Sequence, residues 1–465
     1  MDIKQAIDLI RRKEEAFDDA IKRRNLCRSY YYMDGDINRF PKNASQKNGD
    51  IRTADNRIPS AFYPLLVDQK TSYLFTKRIL FDVDNTEYNK KIFDTLGDKW
   101  PKVCQELCVE ASNATVAWLH YWTDDNGFHY APVPYVFPEY STDLEQRLVR
   151  VLREYVMLDE ENGKEYDVYE IWDDTHCYAF YKDRKNAIEF LEPYNEFWYR
   201  TIIDPEDADS TNVFEHGYGR VPFIPCYNNA AHTDDLLRVK AHIDSYDKVN
   251  SGLMNDLEDI QEVILILKDY AGEDLGSFHE TLKEYKVISV ETEETPNAGV
   301  ETLNIEIPVQ AREMALKHYR KSIFEDGMGV DTNPENYGDV SGVALKYLYS
   351  LLELKAGLME TEFRQGFAEL VKAIIRYHFG EDIESVVQVW GRNGVRNDYE
   401  TAQIAQLSLG IVSQETLVAN HPFVDDVETE LERLKNSDTD LTQSYYGQTP
   451  HLKDESQALA EHPLD

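Results

Sequence analysis

The sequence predicts an α+β fold, and three observations carry that reading. Apolar residues recur at gaps of three or four in two long stretches, Leu236 to Leu267 and Leu345 to Ile374, and each stretch marks a long helix. Between about residues 115 and 227 the period falls towards two, broken by acidic turns, as in a mainly antiparallel β region. A small insert at about 269–306 carries both periods and separates the first long helix from a returning one.

In chain order, residues 2–30 read as an amphipathic helix with Ile3, Ile7, Ile10, Phe17 and Ile21 on one side. Its basic residues, Arg11, Arg12, Lys13, Lys22, Arg23 and Arg24, fit a solvated face better than a nucleic-acid patch. A polar loop follows to about Asn56. Two more helical patterns follow, "IPSAFYPLLVDQKTSYLF" and "TEYNKKIFDTLGDKWPKVCQELCVEASNA", with Pro64 and Pro101 at boundaries. The β region opens with "ATVAWLHYW" and "FHYAPV" around a DNG turn. It continues with "REYVML", "KEYDVYEIW" and "CYAFYKD". At "RVPFIPCYNNAAHTDD" prolines and polar residues mark a boundary. The stripe after it predicts one helix of 32 residues, whose other faces carry Asp244, Asp247, Asp256, Glu258, Asp259 and Glu262. "GEDLGSFHETLKEY" reads as a short helix, and "KVISVE" and "VETLNIEI" as strands. The returning helix starts at Pro308 and ends at Gly327 and Gly329. A polar loop, "VDTNPENYGDV", leads to a helix capped by Ser341 that runs to about Phe379, with Gly357 and Gly366 inviting a bend or close packing. "SVVQVW" is a strand, and two or three short helices fill the next forty residues. The tail from about Asp438 reads as disordered.

The 86 acidic and 49 basic residues give a formal charge of −37, which argues against a chain that wraps nucleic acid by neutralising phosphates. Thirty tyrosines exclude a disordered acidic tail as the whole chain. Five scattered cysteines form no disulfide framework, and buried free thiols fit them best, Cys104 and Cys108 included. No apolar signal core or membrane-length apolar run occurs, so the expectation is a soluble protein of a reducing compartment. No P-loop, H-E-x-x-H, EF-hand loop or nucleophile elbow appears, and twelve histidines form no ligand-spaced cluster. No cofactor, metal or catalytic residue is therefore expected, although a carboxylate-only site leaves no spacing signature.

Several segments together resemble the SPP1-type family of phage portal proteins. They are "NRIPSAFYPLLVDQKTSYLF" (57–75 with its preceding residue), "HIDSYDKVNSGLMNDLEDIQEVILILKDYAGEDLGSF" (242–278), "GVETLNIEIPVQAREMALKHYRKSIFEDGMGVD" (299–331), "SGVALKYLYSLLELKAGLMETEFRQGF" (341–367) and "SLGIVSQETLVANHPFVDDVETELERLK" (408–435). The resemblance implies a portal-type subunit with a mixed α/β wing (1–233), an outgoing stem helix (234–268) and a small α/β clip (269–306). A returning stem helix (307–329), a tunnel loop (330–340), a long wing helix and strand (341–395), a helical crown (396–441) and a disordered tail (442–465) complete it. It implies a ring, commonly of twelve subunits, at one capsid vertex, through which double-stranded DNA enters at packaging and leaves at infection. Implied partners are the terminase large subunit, head-completion or adaptor proteins, and scaffolding and major capsid proteins, with no membrane. The implied location is the virion, with assembly in the host cytoplasm. The channel loop would comprise Asp331, Asn333, Pro334, Glu335, Asn336, Tyr337, Gly338 and Asp339. Arg312, Lys317, Arg320 and Lys321 would face DNA or form ion pairs between subunits. The clip would dock partners through Glu273, Asp274, Phe278, Glu280, Lys283 and Glu284. The rival readings are a non-portal structural adaptor and a nucleic-acid-processing enzyme with a carboxylate metal site.

Overall fold

The computed structural model describes residues 1–39, 54–160, 163–194, 212–260, 264–268, 299–303, 308–331, 347, 349–394, 398–419 and six positions between 421 and 434. Helices and antiparallel strands are mixed throughout, which bears out the α+β expectation. The chain forms two compact units: residues 1–336 with 349–393, and residues 337–348 with 394–465.

The first unit begins with α1 (Ile3–Tyr31). The Asp2 carboxylate accepts from the Gln5 N–H at 2.7 Å and the Gln5 side chain accepts from the Asp2 N–H at 3.1 Å, a reciprocal cap that fixes where the helix starts. α1 buries Ala6, Leu9 and Ile10 against one face of a sheet. Its basic residues are not one solvated face. Arg24 is buried against Glu110, Arg23 forks onto Asp234, and the Lys13 ammonium donates to the Pro138 carbonyl. After α2 (Asp36–Arg39) come α3 (Phe62–Phe75), β1 (Leu80–Asp82), α4 (Thr86–Leu96) and α5 (Trp100–Ala114). Asn85 caps α4, and Pro101 sits in the first turn of α5, where a missing N–H costs nothing.

The β region divides into two sheets. β2 (Val116–Asp124) lies between β3 (Gly127–Val133) and β10 (Phe223–Tyr227). β4 (Val136–Tyr140), β5 (Leu148–Asp159), β6 (Lys164–Trp172), β7 (His176–Asp183) and β8 (Glu192–Pro193) form the second, with β9 (Val213–Glu215) also on β7. The proline-rich boundary is thus partly a strand. β10 tolerates Pro225 because it is the edge of its sheet. Trp118, Val151, Trp172, Cys177 and Phe223 pack between the sheets.

The 32-residue helix is corrected. α6 (Leu236–Ile260) ends earlier, and β11 (Ile264–Lys268) pairs antiparallel with β12 (Gly299–Leu303). Val263 to Leu267 is an unbroken apolar run, which fits a strand as well as a helical stripe. The rest of the insert, with "GEDLGSFHETLKEY" and "KVISVE", lies outside the described residues. The returning helix is α7 (Val309–Asp326), with Pro308 before it and Gly327 at its C-cap. The last long helix, expected from Ser341, is α8 (Ser350–Phe379); Tyr349 stands in a turn before it, and 341–346 lie outside the described residues. α8 runs through the largest core, where Phe363 and Phe367 meet Phe75, Trp100 and Trp390. β13 (Val387–Val389) pairs with β1, a pairing too short and distant for the sequence to announce. The five cysteines are buried free thiols, as expected. No described helix is long and apolar enough to cross a membrane.

In the second unit α9 (Asp398–Leu407) and α10 (Gln414–Ala419) supply two of the expected short helices. The tail from 435 lies outside the described residues.

Candidate functional site

The long helices α6, α7 and α8 are anchored to the rest of the first unit at one place, built from three devices. The first is a buried polar network. Lys70 of α3 is 1% exposed, and its ammonium donates to Asn228 Oδ1 and Asp235 Oδ2, both at 2.7 Å. Asn228 donates to Asp235 Oδ1 at 2.9 Å and to the Thr233 carbonyl at 2.8 Å. Lys355 of α8 lies 3.1 Å from Asp235 Oδ2 and donates to the Gly327 carbonyl at 3.0 Å. One carboxylate at the start of α6 thereby holds α3, α8 and, through Gly327, the end of α7. Burial alone would raise the Asp235 pKa, but Lys355, Lys70 and Asn228 overcome it and hold the carboxyl well below the usual range. Burial pushes the Lys355 ammonium down, with Asp235 opposing. Beside this network Asp234 accepts from the Leu237 N–H at 2.9 Å and both nitrogens of the Arg23 fork at 2.8 Å, tying α1 to the same helix start. A cleft of about 220 Å³ opens over the network between Asn229, Arg238, Met328 and Leu358.

The second device is a ladder between an extended segment and a helix. The N–H groups of Asn56, Ile58 and Ser60 donate to Asn255 Oδ1 (2.6 Å), Ser251 Oγ (3.0 Å) and Asp247 Oδ1 (3.0 Å). Alternate residues of extended chain lie about 6.6 Å apart, and residues four apart on a helix about 6 Å apart. The two spacings match, so alternate N–H groups of one stretch of chain meet one helix face in antiparallel register. Asp247 is 3% exposed, and burial with the neighbouring Asp244 raises its pKa to about 6 despite the Ser60 bond. The sign is opposite to that of an ion-paired aspartate: the fold binds this proton more tightly than the unfolded chain, so its contribution to stability falls as pH rises through about 6. Asp247→Asn, which keeps an acceptor for Ser60, is expected to be more stable than the wild type at pH 8 by about 1 kcal/mol, and level with it at pH 5. Urea midpoints at the two pH values measure this, and a variant less stable at pH 8 refutes it.

The third device holds the chain after α7. Gln69 donates to the Val330 carbonyl at 2.8 Å and accepts the Val330 N–H at 3.0 Å. Arg320 reaches Asp331 at 2.6 Å, its guanidinium lying near the Phe62 and Phe324 rings. The expected channel loop therefore does not begin loose: Val330 is buried and Asp331 is ion-paired, because α3 and α7 supply partners that a search for an apolar stripe does not see. Asn333, Pro334, Glu335, Asn336, Tyr337, Gly338 and Asp339 lie outside the described residues. So do Glu273, Asp274, Phe278, Glu280, Lys283 and Glu284.

The four cations expected on the stem each face a carboxylate of their own chain. Arg312 pairs with Asp256 of α6 and Arg320 with Asp331, while Lys317 lies 2.9 Å from Glu313 and Lys321 3.6 Å from Glu325. Reading by spacing missed Lys70, Asn228, Asp235 and Lys355, since a lysine in a polar run looks like a surface charge. It missed the ladder because the donors are backbone groups. Among the described residues no group of three or more histidine, cysteine or acidic side chains is arranged to hold a metal.

Residues 10–443 match the family model described as phage portal protein, SPP1 Gp6-like. The chain belongs to that family. It is similar to the portal protein of Clostridium phage phiCD119, at 39% identity over 90% of this chain and 93% of the relative. It is also similar to the portal protein of Bacillus phage SPP1, at 30% identity over 87% of this chain and 82% of that relative. This chain is thus a phage portal subunit, and portal proteins are structural components of the capsid that form rings and associate with DNA. In a portal subunit the three devices acquire a common meaning. They fix α6 and α7 against the body that carries them.

Proposed function

We propose that this subunit assembles into a ring of twelve around a DNA channel, with α6 and α7 as its stem and the chain between them as the clip. The observation that supports the stem is the antiparallel pair itself. α6 and α7 leave and return to the same anchored base, spanning about 37 and 27 Å. His242–Asp326 at 2.9 Å near the base and Arg312–Asp256 further out bridge them. The antiparallel β11–β12 pair begins and ends the excursion beyond them. The wing is then 1–233 with 341–395, the crown 396–441, and the segment 330–340 reaches towards DNA. The clip docks the terminase large subunit during packaging and head-completion proteins afterwards. Scaffolding and major capsid proteins meet the rest of the ring.

A channel must let DNA slide. A wall of net negative charge with few fixed phosphate contacts suits that task. Lys317 and Lys321, 69% and 72% exposed at their side chains, exchange their intrahelical partners for passing phosphates at little cost. Arg312 and Arg320 act instead as braces. The decisive measurement is the mass of the purified full chain in solution, together with negative-stain images. A ring many times the 54.0 kDa of one subunit is expected, and a single-subunit mass at every concentration refutes the proposal.

A further inference from the structure

α8 carries two interior glycines, and its own chain explains one of them. A Cβ at Gly366 would lie 3.1 Å from the Pro225 carbonyl oxygen and 3.2 Å from Cys226 Sγ, so close packing on β10 requires that glycine. At Gly357 no described residue lies within 4 Å of where a Cβ would be. Glycine is the poorest helix former after proline, so inside a helix of 30 residues it weakens the element with no packing gain among the described residues. The residues around it are also unusual. From Leu351 through Leu354, Gly357, Leu358 and Thr361 to Gln365, one face of α8 carries no charge over about 21 Å. Its three leucines are 38%, 54% and 44% exposed. The opposite side already fills the core with Leu352, Met359, Phe363 and Phe367.

We propose that this face is a contact between neighbouring subunits, with Gly357 as the notch that lets the neighbour approach the α8 backbone. The occupant is a second copy of this chain, and charge selects the face. Each subunit carries a formal charge of −37, so copies repel wherever acidic surfaces meet and associate through a face that presents no carboxylate. A ring contact is heterologous, so the stripe meets a different patch of the neighbour rather than itself. The inference rests on the ring reading above.

The test is the assembled fraction of the full-length chain at fixed concentration, measured by mass in solution alongside thermal unfolding. Leu354→Glu and Leu358→Glu set a carboxylate on the face while keeping good helix formers, and each is expected to lower assembly by roughly tenfold or more. Gly357→Ala separates contact from fold. It is expected to raise the melting temperature of the dissociated subunit while weakening assembly. Rings that form normally from all three variants overturn the contact and leave the ring reading intact. A wild-type chain that stays at the mass of one subunit overturns both. Lower melting temperatures in all three variants, Gly357→Ala included, show that the face is packed inside the subunit and also overturn the contact.

Discussion

Asp235→Ala is expected to destabilise the subunit by about 3–5 kcal/mol at pH 7. The substitution leaves the ammonium groups of Lys70 and Lys355 in one buried site with no opposing charge, and Asn228 without one of its two acceptors. Removing one partner of a buried network costs far more than the network's net contribution, because the remaining charges keep their desolvation penalty. Asp235→Asn, which retains an acceptor for Lys70, is expected to fall between wild type and alanine.

The pH dependence distinguishes this cause from a general loss of packing. In the wild type the Asp235 pKa is depressed, so its contribution is present above the unfolded value near 4 and is lost as pH falls further. In the alanine variant the uncompensated Lys355 ammonium, which burial already pushes down, gives up its proton more readily, so the penalty shrinks as pH rises above neutrality. The gap between the two chains is therefore widest near neutrality and narrows on both sides. Urea unfolding at pH 2.5, 7 and 9.5 measures it. A gap independent of pH would show that Asp235 acts only by filling space. If α6 belongs to a stem in the ring, the same variant uncouples it from α3 and α8, and stems should lose a common position even where subunits still fold.

What the sequence made legible was local. Pro101, the DNG turn, and Pro308 with Gly327 each fix an element boundary by chemistry within a few residues. The order and number of family-like segments then carried the function. Where tertiary partners decide, spacing failed. Ile264–Lys268 is a strand because Gly299–Leu303 lies beside it, and Leu80–Asp82 is a strand because Val387–Val389 does. The division of one β region into two sheets depends on which strands meet α1 and which meet β10. The anchoring site was hidden for the same reason. Lys70, Asp235 and Lys355 come from three separate elements, and no periodicity links them. The glycines of the "DGMG" step could be read as a helix stop, but not as a contact.

Gly329→Ala is expected to cost about 1–3 kcal/mol and to change the set of the chain that follows. A Cβ at Gly329 would overlap Leu66 Cδ2 and come within 3.0 Å of Gln69 Oε1 and 3.3 Å of Phe324 Cδ1. Leu66 is 1% exposed, so it has no room to retreat without disturbing Tyr63, Val239 and Ile323 around it. Gln69 holds both backbone groups of Val330, so displacing it also loosens the clamp that precedes Asp331. Two readouts follow from one methyl group. Denaturant unfolding of the variant should show the loss of stability. Amide exchange at Val330 should be faster by more than the global loss of stability allows, because the local clamp fails before the fold does. If the segment after α7 reaches DNA in the channel, the loosened base should slow packaging in rings that still assemble. The control is Gly327→Ala, whose Cβ would lie 2.5 Å from the Ile323 carbonyl oxygen, 2.6 Å from Leu66 Cδ1 and 3.1 Å from Val239 Cγ1, none of these nearest atoms belonging to Gln69. It should destabilise the fold comparably but leave Val330 exchange following the global opening. Equal exchange at Val330 in the two variants would show that Gln69 does not set the position of this segment.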